Sequence, residues 1–195
     1  MFNDDPHMLT EAVMSGRKTQ ARYVVPASHL KAYEAYLSSL PTPTMRIGEF
    51  LLRNGLSKYI VGEEVAIAQS YETLKLAPDL IQRAKSHDKK SFKYVPISSL
   101  PGWRNKMYVS SEFMPHSIII TAVRVERLQQ IKSEDAKREG LIKMPSGGYG
   151  TSVRKDVSLG DSPRKAYASL INELCNKSVW DNNPYVYVYE FRFVK

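Results

Sequence analysis

The spacing of hydrophobic positions changes several times along the chain, and each change marks an element. Leu9, Ala12 and Val13 recur at helical spacing behind Asp5-Pro6, which reads as an N-cap followed by proline at the first helical position. Gly16 ends that helix, and Tyr23-Val24-Val25 then runs extended to Pro26. Leu30, Tyr33 and Leu37 predict a second helix, capped by Ser28 and ended by Leu40-Pro41-Thr42-Pro43, with a loop over residues 38–48. Val65-Ala66-Ile67-Ala68 reads as a buried strand. Residues 78–84 read as another helix, followed by the polar, basic connection 85–90. The two clearest strand patterns come later. Residues 117–128 are apolar without interruption in their first half and alternate in their second, so one end is buried on both faces and the other on one. Residues 184–194 put tyrosines on one face and valines on the other. Between these strands Ser133 caps a short helix that stops at Gly140, and residues 144–150 form a flexible glycine-rich loop. Ser162-Pro163 opens the longest helix, with Tyr167, Leu170, Ile171 and Leu174 on its apolar face.

Composition narrows the class. A chain of 195 residues with 43% hydrophobic and 25% charged residues is long enough for one well-buried core, so a single domain is expected over 1–195. The formal net charge of +8, from 28 Lys and Arg against 20 Asp and Glu, favours an anionic partner such as RNA, DNA or a nucleotide. Cys175 is the only cysteine, which excludes an intrachain disulfide and a Cys-rich zinc site, and it falls on the apolar side of its helix. The first residues carry acids where a signal peptide needs bases, and no apolar run approaches membrane-spanning length. A cytoplasmic setting without membrane contact is therefore expected. The glycines of 144–150 lack the strand-to-helix context of a phosphate loop, and no metal or cofactor motif is present.

Candidate chemistry centres on Gly16-Arg17-Lys18-Thr19-Gln20-Ala21-Arg22. A glycine at a helix end lets the chain turn in the left-handed region, which fixes Lys18 and Arg22 as positive charges at a junction. Such charges also suit the negative end of a helix dipole with no further role. Trp103-Arg104 suits stacking on a base, and equally suits a tryptophan packed at a barrel end with its arginine on the rim. Glu139 falls in the last turn of its helix, where the dipole least favours a carboxylate.

Several landmarks stand in one order: Gly16-Arg17-Lys18-Thr19, Val61-Gly62-Glu63-Glu64-Val65, Trp103-Arg104, Val123-Arg124-Val125-Glu126, the segment from Glu134 to Gly140, and Trp180-Asp181-Asn182-Asn183-Pro184 before Glu190-Phe191. Together they resemble the ASCH domain of the PUA-like superfamily, most closely its longer phage and prophage versions. The resemblance covers the stretches near 8–25, 58–72, 102–143 and 163–194, and leaves 27–57, 73–100 and 144–162 as excursions. It implies an α+β fold, a mostly antiparallel PUA-like β-barrel with surrounding helices, and a cleft where the Gly-Arg-Lys-Thr turn faces the Glu139 helix. It also implies two activities. One is a binding module for RNA, single-stranded nucleic acid or a modified nucleoside, held by Lys18, Arg22 and Arg104 with Trp103 or Trp180 as a stacking surface. The other is an amidohydrolase acting on an acylated base such as N4-acetylcytidine, with Lys18 and Glu139 as its catalytic pair. The family threonine that would complete this set falls on Ala21, which has no hydroxyl, so the binding reading comes first. A phage accessory protein that docks another protein through the excursions is the third reading.

Overall fold

The computed structural model describes residues 7–85, 92–152, 157–175 and 178–194. Asp5-Pro6 and residues 86–90 of the basic connection lie outside them. In chain order the elements are α1 (Leu9–Met14), β1 (Gln20–Val24), α2 (Ala27–Ser39), α3 (Ile47–Arg53), β2 (Glu64–Ala66), β3 (Ile81–Lys85), β4 (Phe92–Pro96), β5 (Ser117–Arg127), α4 (Ser133–Arg138), β6 (Ile142–Lys143), β7 (Tyr149–Gly150), α5 (Pro163–Cys175), α6 (Val179–Asn182) and β8 (Tyr185–Phe193). The chain forms two compact units, Ala66–Ser117 and, from two pieces, Asn3–Val65 with Ile118–Val194.

The larger unit is built on β8. Its alternating Val and Tyr residues give it two apolar faces, and a strand apolar on both faces belongs in the middle of a sheet. It lies between β1 and β5 in the order β1-β8-β5-β2, with both β8 pairings antiparallel, and the sheet curls as a half-barrel. Ala21 pairs with Tyr189 and Tyr23 with Tyr187 on one side, while Val123 and Val125 oppose the same tyrosines on the other. These residues share a face, because side chains alternate along a strand. There the Tyr189 ring meets Tyr23 and Tyr59 edge-on at 5.7 and 5.3 Å, and its hydroxyl accepts from the Lys58 backbone N–H at 3.1 Å. On the opposite face Val186 and Val188 pack against Ala166, Tyr167, Leu170 and Ile171 of α5. A bulge between Ile120 and Ala122 shifts the β5 register and leaves Thr121 unpaired with β8.

The smaller unit holds the β3–β4 hairpin and four short 3-10 helices between Ile97 and Phe113, wound around Tyr71. The buried Tyr71 donates its N–H to the Gly102 carbonyl at 3.1 Å, and its hydroxyl accepts from the Ser110 N–H at 2.8 Å. A Cβ at position 102 would lie 2.6 Å from the Tyr71 ring, so only glycine fits there.

Several local expectations are corrected. Residues 81–85 are a strand, because Ile81–Lys85 finds a register with Phe92–Pro96, a partner that local spacing does not reveal. The loop after α2 is shorter than expected: α3 begins at Ile47 and buries Phe50 and Leu51 despite Gly48, whose missing side chain leaves room for Val125. Pro26 rather than Ser28 precedes α2, and Lys132 rather than Ser133 precedes α4. The strand at 65–68 is confined to Glu64–Ala66. Residues 144–148 form the turn of the small β6–β7 hairpin, with Gly147 and Gly148 at φ of 99° and 74°.

The valine face supplies a direct test. Leu170 is fully buried against it, so Leu170→Ala should lower unfolding free energy by about 2–5 kcal/mol, read from the urea midpoint at unchanged m-value.

Candidate functional site

At the start of β1 the chain is fastened on both sides. Gly16, at φ 73°, turns it out of α1. The Thr19 N–H then donates to the Arg138 carbonyl at 2.8 Å, and the Thr19 carbonyl accepts from the Phe191 N–H at 2.9 Å. Lys18 lies across an antiparallel bridge from Glu139, the residue that ends α4. Gly140 follows at φ 103°, with Lys18 and Ala12 each 3.4 Å from where its Cβ would stand. It is the left-handed backbone at position 140, rather than any lack of space beside the Lys18 turn, that calls for glycine there.

Alternation from this anchor sends Gln20 and Arg22 toward α4 and α5, and all three polar side chains are buried. Lys18 Nζ donates to Glu139 Oε2 at 2.6 Å and to the Glu139 backbone carbonyl at 3.0 Å. Arg22 Nη1 reaches the other carboxylate oxygen of Glu139 at 2.7 Å, while its Nη2 meets Glu126 Oε1 at 2.9 Å. Glu139 is 3% exposed, Lys18 5% and Arg22 7%. A carboxylate that the α4 dipole disfavours is thus held by two cations, one of which also satisfies a helix-end carbonyl.

The pairing continues outward. Glu126 turns its second oxygen to Arg124 Nε at 3.1 Å, and Arg124 Nη1 donates to Glu190 Oε1. Glu190 Oε2 accepts from Arg138 Nη2 at 2.9 Å. Gln20 Nε2 donates to both Asp135 Oδ1 and Glu190 Oε1 at 3.1 Å. Arg22 and Arg124 also approach Asp135 Oδ2, at 3.7 and 3.4 Å. Four cations, Lys18, Arg22, Arg124 and Arg138, thereby meet four carboxylates, Glu126, Asp135, Glu139 and Glu190. The cluster is formally neutral, so the whole net charge of +8 resides elsewhere in the chain.

Electrostatic shifts follow this geometry. Burial opposes the charge of Arg22, but Glu139, with Glu126 behind it, holds its pKa above the ordinary value. Tyr167 lies under the Arg22 guanidinium, 5.8 Å from carbon to ring centroid. Its phenol is pushed well up, first by burial and then by Glu139, and so stays protonated. Thr19 Oγ1 accepts from Arg138 Nε at 3.2 Å. Ala21 faces Tyr189 across the sheet from the cluster, because it lies one residue out of phase with Gln20 and Arg22. The resemblance implies a threonine at this position beside the Lys-Glu pair, whereas the Cβ at 21 points to the tyrosine face.

The other sequence candidates lie apart from the cluster's hydrogen bonds. Trp180 is half-buried on the α5 core, edge-on to Tyr167 at 6.4 Å and covered by the Arg164 guanidinium at 5.2 Å. Trp103 and Arg104 belong to the Ala66–Ser117 unit. They line an open depression of about 320 Å³ together with Ser98, Leu100 and Pro101. Sequence reading missed Gln20, Arg124, Glu126, Asp135, Arg138 and Glu190 as site residues. Their available signal was charge at inward positions of otherwise apolar strands, at Arg124, Glu126 and Glu190. Among the described residues no group of His, Cys, Asp and Glu is arranged to hold a metal ion, and no helix is long and apolar enough to cross a membrane. No family model, curated protein or solved structure matches the chain.

Two measurements test the cluster. Glu139→Gln leaves two buried cations short of a charge and should cost about 3–5 kcal/mol in urea unfolding at neutral pH. Glu190 tests its pH dependence. Burial works to raise this carboxyl, but hydrogen bonds and charge from Arg138 and then Arg124 hold it below its ordinary value. A carboxyl depressed on folding stabilises the fold above its unfolded pKa, about 4.3, and that stability is lost as pH falls through the folded value. The stability advantage of wild type over Glu190→Gln should therefore be full near neutral pH and vanish on acidification below about pH 4.

Proposed function

We propose that this chain is an ASCH-type, PUA-like protein that binds RNA, single-stranded nucleic acid or a modified nucleoside, with the Lys18-Arg22-Glu139 cluster receiving a base. The observation that carries this reading is the junction itself. Lys18 and Arg22 converge on the two oxygens of one buried carboxylate, at 2.6 and 2.7 Å, from segments more than a hundred residues apart in sequence. The resemblance implies a cleft between the Gly-Arg-Lys-Thr turn and the Glu139 helix, and side chains from these two segments are the ones that meet here. The half-barrel sheet and its helices are consistent with the PUA-like architecture.

Charge balance favours a base over a phosphate at this point. Each cation already faces a carboxylate, so a phosphate would have to displace one and leave it buried and unpaired. A base offers donors and acceptors without net charge and exchanges for hydrogen bonds in the network. The net charge outside the cluster remains available to attract a polyanion.

The amidohydrolase reading would use water as its nucleophile, since the side chains around the pair do not offer one. Ala21 carries no hydroxyl and faces the tyrosines, Thr19 is engaged by Arg138, and the Tyr167 phenol is held protonated. Lys18 with Glu139 supplies charge and orientation for a bound amide, and the displacing atom would have to come from water.

The test is calorimetric titration with cytidine and N4-acetylcytidine, with chromatographic assay for released cytidine. Wild type should bind and release no cytidine. Lys18→Met, in which Glu139 keeps Arg22, should fold and bind at least about tenfold more weakly, the loss of one charge-assisted hydrogen bond. Ala21→Thr should gain no hydrolysis, because its hydroxyl would face Tyr189. Cytidine release by wild type or by Ala21→Thr would replace the binding reading with the hydrolase one. Absence of any nucleoside binding would remove the base from the proposal.

A further inference from the structure

The Ala66–Ser117 unit combines charge, exposed aromatics and a rigid frame in a way that the cluster does not use. Its sequence carries eight Lys and Arg against four Asp and Glu, so about a quarter of the chain holds half of the net charge of +8. Large side chains stand in solvent on consecutive turns: Arg104 with its side chain 82% exposed, Met107 at 66% and Tyr108 at 65%. Trp103 is half-buried and lines the open depression of about 320 Å³ beside Arg104, Leu100 and Pro101. That volume is at the small end of ligand sites, roughly 300–1,000 Å³, and suits one planar ring.

These residues are held in place. The Trp103 N–H donates to the Leu100 carbonyl at 2.9 Å, and the Trp103 carbonyl accepts from the Glu72 N–H at 3.0 Å. The Met107 N–H is capped by the Asn105 side chain at 2.9 Å, and the Tyr108 N–H donates to the Asn105 carbonyl at 3.1 Å. Beneath them Tyr71 fills the space that Gly102 leaves. Exposed aromatics on backbone fixed in this way lose little freedom on stacking. Among the described residues Arg104 pairs loosely with Glu72 at 3.7 Å, with both side chains more than half exposed, and such a pair yields readily to a stronger anion.

We propose that the Ala66–Ser117 unit carries a binding platform for single-stranded nucleic acid: a base stacks on Trp103 in the depression, Arg104 takes a backbone phosphate, and Tyr108 offers a second stacking face. Single strands fit because their bases are free to stack, whereas a duplex hides them. The positive charge of the unit distinguishes this occupant from an apolar protein surface. The inference shares the nucleic-acid reading above but uses none of the residues of the buried cluster.

The test is fluorescence anisotropy of the full chain with labelled short oligo(U), oligo(dT) and a duplex of the same length, between about 50 and 200 mM salt. Single strands should bind more tightly than duplex. Trp103→Ala and Tyr108→Ala should each weaken binding roughly 5- to 150-fold, the range of one lost stacking contact. Arg104→Glu, at an exposed position that leaves folding intact, should weaken binding and lower the salt slope by roughly 0.7. Binding of duplex as tightly as single strands, wild-type affinity in all three variants, or no oligonucleotide binding would each overturn the platform. Oligonucleotide binding lost in Arg104→Glu with no nucleoside heat in wild type would sustain the platform and remove the base from the cluster. Nucleoside binding without oligonucleotide binding would do the reverse.

Discussion

The structure of the larger unit depends on one carboxylate. Glu139 ends a six-residue helix at a point where the backbone dipole repels negative charge, and it is 3% exposed. It is tolerable there only because Lys18, from the turn before β1, and Arg22, from β1 itself, arrive together. That requirement goes with the turn at Gly16, the alternation of Gln20 and Arg22, and the left-handed backbone at Gly140. A buried ion pair adds little net stability over an apolar one, but its geometry is exacting. Its structural effect is therefore to select one register of β1 against β8 and one docking of α4.

The sheet separates two kinds of chemistry. On one face arginines and carboxylates extend the Glu139 pairing toward Glu190 and border the Val186-Val188 contact with α5. On the other, Tyr23, Tyr59, Tyr187 and Tyr189 pack ring against ring, and the Tyr187 and Tyr189 hydroxyls turn to hydrogen-bond partners. A one-residue slip of β1 would drive Arg22 into the tyrosines and Tyr23 into the carboxylates. The same phase relation keeps Ala21 away from Lys18.

The long strands at 117–127 and 185–193 were legible because their apolar periodicity persists over many residues, and so was the helix at 163–175. The β3–β4 hairpin was not, since each strand is short and draws its stability from the other. The central place of β8 was not legible, because both of its neighbours are distant in sequence. At the cluster, Lys18, Arg22 and Glu139 drew attention through a resemblance and through the poor electrostatic position of Glu139. Asp135 and Arg138 gave no such signal, because charges in a short polar helix usually face water. Only the docking of α4 against β1 turns them inward.

The place of β8 also bears on how the chain is made. Gln20 and Glu190, partners across the β1–β8 pairing, are 170 residues apart. At roughly 5–20 residues per second, β1 leaves the ribosome on the order of 10–30 s before the strand that must cover it. Throughout that interval β1 and β5 have no strand between them, and the larger unit cannot close. The contiguous Ala66–Ser117 unit has no such wait, because all of its internal partners emerge together. Synthesis therefore releases every residue of the smaller unit while the larger one still lacks its central strand.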